Sequence, residues 1–304
     1  MDAEVTVTSP TAPTSPTPTD LGVDAAAAIR GIARRVADGG TITMVLDSDL
    51  SGAWTALARA GWDHVGIRDD DGTGASLVDL VNVAWAWGET CLPLPLMPTI
   101  LARRWSPAAA EHAGPVTFSV PHPSREGGLA PFAARQDVVL APRLGGGADR
   151  DPTRVECSAE PLAPTLALGH VAATTRLSAE AAHECAVVWA AEALGAASRL
   201  LTEAVSYAKL REQFGRPIGS FQAIKHLLAD GHIALEQAET AVLWAASEPG
   251  DAGRALAFAF RSARRVGEIS VQVHGGVGFT WELGLHFYLR HIIALAELAN
   301  AVLP

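Results

Sequence analysis

Apolar residues recur every three or four positions along most of this 304-residue chain, and only a few stretches break the recurrence. The pattern predicts helices at residues 25–37, ended by Gly39-Gly40, at 51–60, with Gly61 as C-cap, and at 76–89. In the last of these Leu77, Leu80, Val81, Ala84, Trp85 and Gly88 share one face. Residues 69–74 read as a polar loop. Pro93, Pro95 and Pro98 then interrupt the pattern ahead of a helix at 99–105. Between residues 115 and 176 the period changes. Residues 116–120 alternate and 137–141 are a short apolar run, while 154–157 and 164–168 read as further strands, with a hairpin turn at Gly145-Gly146-Gly147. From there helical periodicity dominates, at 178–213, 220–247, 251–273 and 282–301. Long helices with short joints imply an antiparallel bundle.

The expected fold is therefore mainly α with a small central β domain. Its divisions are a disordered tail at 1–20, N-terminal helices over 21–113, the β domain at 114–176 and a four-helix bundle at 177–304. The tail is rich in Thr, Ser and Pro and has too little apolar surface to offset the entropy of ordering. Composition narrows the function classes. Hydrophobic residues are 49% of the chain, enough for a sizeable core, and the net charge of −10 argues against a nucleic-acid surface. Cys91, Cys157 and Cys185 are odd in number and lack metal-ligand spacing, so no metal site is expected and a reducing cytoplasm fits best. No apolar run of about 18 residues is free of charges and breakers, so no membrane span is expected.

Two joints of the bundle carry candidate chemistry. Residues 207–222 include Arg211, Gln213, Phe214, Gly215, Pro217 and Gly219, with Ser220 placed to cap the helix that follows. A fixed cation, an aromatic ring and turn amides meet there, a combination suited to phosphate oxygens; an ordinary helix joint with a solvated arginine has the same spacing. The second joint, Gln272-Val-His274-Gly275-Gly276-Val-Gly278-Phe-Thr280, has three glycines that let backbone approach a ligand or a neighbouring chain.

Together, Arg211-Glu-Gln-Phe-Gly-Arg-Pro-Ile-Gly-Ser-Phe-Gln222 and the joint at 272–280 resemble the acyl-CoA dehydrogenase family. The order of helices, β segment and bundle agrees. The resemblance implies an FAD-dependent enzyme that oxidises acyl-CoA thioesters to 2,3-enoyl-CoA, with a glutamate taking the α-proton and the flavin taking the β-hydride. It also implies a flavin shared between subunits, with the bundle of one chain holding the pyrophosphate and adenosine of its neighbour's FAD. Arg211, Gln213, Phe214, Gln222, Gln272, Gly275 and Gly276 fall on that contribution.

The departures from the family pattern are as informative. The loop expected to bond the flavin ring is replaced by Val120-Pro-His-Pro-Ser-Arg-Glu-Gly127, without the family's Thr and Ser. The usual catalytic glutamate, nine residues after the position of Arg290, is Ala299. The alternative slot on the first bundle helix is Cys185, followed by Ala186 where a CoA-contacting Arg is common. Glu184 is one residue away, about 100° around the helix; it is either the base or a helix glutamate facing solvent or a partner. His274 reads as packing its turn. The resemblance thus points to a subunit of a hetero-oligomer, similar to the degenerate chain of actinobacterial α2β2 steroid acyl-CoA dehydrogenases, whose paralogous partner supplies the base. Two alternatives stay open: a homo-oligomeric dehydrogenase using Glu184, and a non-catalytic binding or scaffold protein on a relic fold.

Overall fold

The computed structural model of the chain describes residues 16–37, 40–68 and 74–303. Most of the expected tail, Gly39 and residues 69–73 of the expected polar loop lie outside them. Six helices come first: α1 (Asp20–Ala37), α2 (Ile42–Leu46), α3 (Ser51–Arg59), α4 (Leu77–Gly88), α5 (Leu96–Trp105) and α6 (Pro107–Glu111). Eight short strands follow: β1 (Val116–Thr117), β2 (Val120–Pro121), β3 (Gly128–Ala130), β4 (Val139–Leu140), β5 (Arg143–Leu144), β6 (Cys157–Ala159), β7 (Gly169–Val171) and β8 (Arg176–Leu177). The bundle is α7 (Ala179–Leu210), α8 (Gln222–Ser247), α9 (Ala252–His274) and α10 (Leu285–Asn300). Between α7 and α8 lies a hairpin of β9 (Glu212–Gln213) and β10 (Arg216–Pro217).

The chain is organised around α7. Its 32 residues are rich in alanine, and Ala181, Ala186, Ala190, Ala193, Ala197 and Ala204 are buried, which lets α4, α8, α9 and α10 pack closely around it. The crossing with α4 depends on two glycines. A Cβ on Gly88 would overlap the Glu192 carbonyl oxygen, and one on Gly195 would overlap that of Trp85. By length and composition α7 could cross a membrane, but most of its apolar surface is buried among these helices.

The start of α1 is fixed on α4. Ser76 caps α4 in a capping box, donating from its hydroxyl to Asp79 Oδ2 at 2.7 Å while accepting from the Asp79 amide at 3.1 Å. Thr19 donates to Asp79 Oδ1 from both its amide (2.6 Å) and its hydroxyl (2.9 Å). Burial alone would raise the Asp79 carboxyl; the bonds from Ser76 and Thr19 prevail and hold it below its ordinary value. Thr19, inside the expected tail, is thus tied to α4.

Pro98 lies in the first turn of α5, where a missing amide costs nothing, so α5 starts earlier than the three prolines suggest. The strand expected at 164–168 is a 3₁₀ turn, and Gly145–Gly147 make no hairpin, because β5 pairs in parallel with β8. The central sheet is antiparallel in the order β2-β3-β7-β6, with Leu129 opposite His170 and Ser158 opposite His170. Phe118 stacks on Trp189 of α7 with centroids 5.7 Å apart, joining this β segment to the bundle. On the other side His291 of α10 bridges Thr165 (2.9 Å) and Glu192 of α7 (3.1 Å), all three buried. Arg290 is committed to the carbonyl oxygens of Pro161 and Leu162.

Candidate functional site

The joints flagged in the sequence meet at one end of the bundle, where α7 and α9 end side by side. A small apolar cluster of Ala204, Ala208 and Val273, with Ile218, Ile224, Leu227 and Leu228, ties them together. Above it Tyr207 and His274 stack with centroids 4.5 Å apart. The β9–β10 hairpin projects from this base. Its two central residues, Phe214 and Gly215, both have left-handed backbone (φ 56° and 77°), the signature of a type I′ turn. A phenylalanine in that region is strained by roughly 1–2 kcal/mol, and here it holds a ring that is 92% exposed. Phe221 lies edge-on to it at 6.1 Å, and the Arg216 guanidinium sits 4.1 Å from the centroid of the Phe221 ring.

Arg211, Gln213, Gln222 and Gln272 are all exposed. Gln213 donates only to the neighbouring Glu212 carbonyl at 2.6 Å. Among the described residues the Arg211 side chain has no hydrogen-bond or ion-pair partner. A Cβ on Gly275 or Gly276 would meet nothing within 4 Å, so the backbone there is open to close approach. Ser220 does not cap α8 as expected; Phe221 takes the N-cap position with no side-chain cap, and the buried Ser220 hydroxyl has no partner among the described residues. The 3₁₀ turn at Ile218–Ser220 shifts the helix start, and the first amides of α8 keep no side-chain acceptor.

The base candidates are far from this end. Glu184 is 6% exposed, so of the readings the sequence left open it does not face solvent. Arg104 Nε donates to its Oε2 at 2.7 Å, the Trp105 indole to the same atom at 2.9 Å, and Arg68 to Oε1. Arg68 also stacks over Trp105 at 4.3 Å. Arg104 is anchored further by the carbonyl oxygens of Gly66 (2.9 Å) and Ala75 (2.8 Å). A cleft of about 700 Å³ opens beside this group, lined by Arg68, Arg104, His183, Glu184 and Ser247. Burial pushes the His183 imidazole below its ordinary value. Both oxygens of the Glu184 carboxylate are thus occupied, by two guanidinium groups and an indole. The cluster was not visible in the sequence beforehand; its one signal was the tandem Arg103-Arg104 at the end of an apolar helix.

Cys185 and Ala299 are fully buried, and Ala299 sits in the last turn of α10. Burial pushes the Cys185 thiol well up. The 120–127 segment forms β2 and its connection to β3 and is tied to its own sheet: the Ser124 amide donates to His122 Nδ1, His170 contacts the Glu126 carbonyl, and Arg125 pairs with Glu160. Among the described residues no group of His, Cys, Asp and Glu could hold a metal ion.

The family model described as acyl-CoA dehydrogenase, C-terminal domain, matches residues 175–298. The chain is similar to the acyl-CoA dehydrogenase IpdE2 of Mycobacterium tuberculosis, 33% identical over an alignment of 244 residues that covers 76% of each protein. Among solved structures it is similar to a chain of the ChsE4-ChsE5 complex from Mycobacterium tuberculosis, with a TM-score of 0.72 at 20% identity over 93% of this chain and 94% of that one. A chain of the Tcur3481-Tcur3483 steroid ACAD, solved as a variant, gives a TM-score of 0.68 at 23% identity over 91% and 93%. At these identities the structural likenesses speak for the fold.

Proposed function

The chain belongs to the acyl-CoA dehydrogenase family, and from that premise we propose that it is the base-less subunit of a hetero-oligomeric member, lending half of an FAD site to a paralogous partner that carries the catalytic glutamate. The observation that carries this reading is the outward-facing set at the bundle end. Arg211 is charged and unpaired, Phe214 is strained and exposed, and Gly275-Gly276 is unobstructed. Such a set fits the phosphate and adenosine half of a dinucleotide and has no use within the chain. When bound, FAD supplies the ring that accepts hydride from the acyl β-carbon.

The tasks of this chain are to bind and to orient. Arg211 pairs with pyrophosphate oxygens, which only accept, and Phe214 shields the cofactor from water. Gln213, Gln222 and Gln272 offer amide donors and acceptors to its polar edges. Glu184 takes no proton in this scheme, being committed to Arg68, Arg104 and Trp105. The partner's glutamate takes the α-proton. For the substrate we propose a bulky steroid side-chain thioester and for the assembly α2β2; the steroid description of one structural neighbour and the paired chains of both support this.

Expression tests the reading. The chain made alone is expected to be colourless or insoluble, and yellow when made with a full-length acyl-CoA dehydrogenase encoded beside it. A yellow, active homo-oligomer would contradict it in favour of Glu184 as base. A protein that stays colourless beside every such partner would favour a non-catalytic scaffold.

A further inference from the structure

We propose that the cleft between α1, the end of α4 and the middle of α7 binds a phosphoryl group, either as free phosphate or as a small phosphate monoester. The cleft holds about 250 Å³, and its charged and polar lining includes Arg30, Arg34, Glu89, Ser198 and Arg199. None of these residues belongs to the joints at 207–222 and 272–280 or to the Glu184 cluster. Arg30 and Arg34 are one turn apart on α1, so their charges share a face and repel. Arg199 adds a third guanidinium from α7. Three arginines thus face one glutamate in the lining.

That glutamate is already spoken for. Glu89 Oε2 accepts from Arg30 Nε at 2.8 Å, and Oε1 accepts from Arg30 Nη2 at 3.4 Å and from the Trp85 indole at 3.1 Å. Arg199 pairs with Glu203 through Nη2 at 2.7 Å, and its side chain is half exposed. Among the described residues the Arg34 side chain has no hydrogen-bond or ion-pair partner, and neither has the Ser198 hydroxyl. The carbonyl oxygens that close α4 beside the cleft are taken up locally. That of Trp85 accepts the Glu89 amide at 3.1 Å, and that of Trp87 accepts the amide and the hydroxyl of Thr90 at 3.0 and 2.7 Å. What stays open is therefore a set of donors: Arg34, the rest of the Arg199 fork and the Ser198 hydroxyl. They come from two helices and converge on one space. A phosphoryl group carries three strong acceptor oxygens and a charge of about −1.5 to −2 at neutral pH, which matches the two uncompensated positive charges of the lining. A carboxylate brings one charge and two oxygens. The volume lies below the roughly 300–1,000 Å³ of sites for drug-sized ligands, so the cleft takes the group with a short carrier and not a dinucleotide.

The test titrates the full-length chain, co-purified with its partner if it is insoluble alone, by calorimetry at constant ionic strength. The probes are inorganic phosphate, O-phosphoserine as a small monoester, and succinate as a dianion without a phosphoryl group. Phosphate is expected to bind with a Kd of about 1 mM or tighter, and succinate roughly ten-fold more weakly. Arg34→Gln should weaken phosphate roughly ten-fold, the effect of one lost charge-assisted hydrogen bond, and Ser198→Ala about three-fold or more. Arg35→Gln removes the same charge from the next residue, which lines a different groove beside α3, and should change little. Arg211→Ala should leave the Arg34-dependent binding in place, which separates this cleft from the bundle end. The tighter of phosphate and O-phosphoserine identifies the source of the group. If phosphate fails to saturate the protein, if succinate binds as well, if Arg35→Gln weakens binding as much as Arg34→Gln, or if Arg211→Ala abolishes it, the inference falls.

Discussion

Glu184 separates what a sequence can say about a residue from what it cannot. Its number and its offset from Cys185 were legible, but its role is decided by Arg68 and Arg104, 116 and 80 positions away, which no local pattern connects to it. The long helix placed it on a face; only the packing of α5 against α7 turned that face inward. Removing it strands a buried guanidinium, since the Arg104 side chain is 4% exposed. Glu184→Ala is therefore expected to cost about 3–5 kcal/mol in denaturant-induced unfolding, the penalty for breaking a buried pair from one side. A loss under about 1 kcal/mol would mean that the cluster is solvated in solution. Arg211 is the opposite case: its surroundings are the contiguous residues of one joint, which spacing describes, although spacing alone left that joint open between a phosphate site and an ordinary helix connection.

At the scale of elements, the helices were readable because a 3.6-residue period sustained over many residues leaves few alternatives. The strands were readable only in part: the runs at 116–120 and 137–141 contain β1 and β4, but most strands are two residues long and are held by pairing with distant partners such as β5 with β8. The crossing of α4 and α7 depends on Gly88 and Gly195, which read in sequence as weak points in two helices. Gly195→Ala adds helix propensity yet is expected to destabilise the fold by at least 1–3 kcal/mol, the usual range for overpacking, because its Cβ meets backbone that cannot move aside. A stabilised variant in thermal unfolding would contradict that packing. The Asp79 cap gives the same elements a pH signature. A carboxyl held below its ordinary value in the fold stabilises above the unfolded value of about 3.9 and loses that contribution as pH falls through the lowered one. The melting-temperature gap between wild type and Asp79→Asn is expected to be constant from about pH 7 to 5 and to shrink toward pH 3. A gap that widens on acidification would reverse the sign of the shift.

At the scale of the molecule, the proposed role of the chain is to lend half of a site. One end of the bundle offers a cation, an aromatic ring and open backbone outward, while Cys185 and Ala299 are buried and Glu184 is ion-paired with Arg68 and Arg104. The family and the order of its elements were legible because the two joints are specific as a pair. The sealing of the interior was not, because it arises from contacts between separate parts of the chain. The most direct test of this account is the flavin content and turnover of the complex co-purified with its partner. Arg211→Ala is expected to lose flavin, with FAD binding weakened by about 1.5–3 kcal/mol, while Glu184→Gln keeps both the flavin and the turnover of each folded complex. Full flavin in Arg211→Ala together with abolished turnover in Glu184→Gln would contradict it.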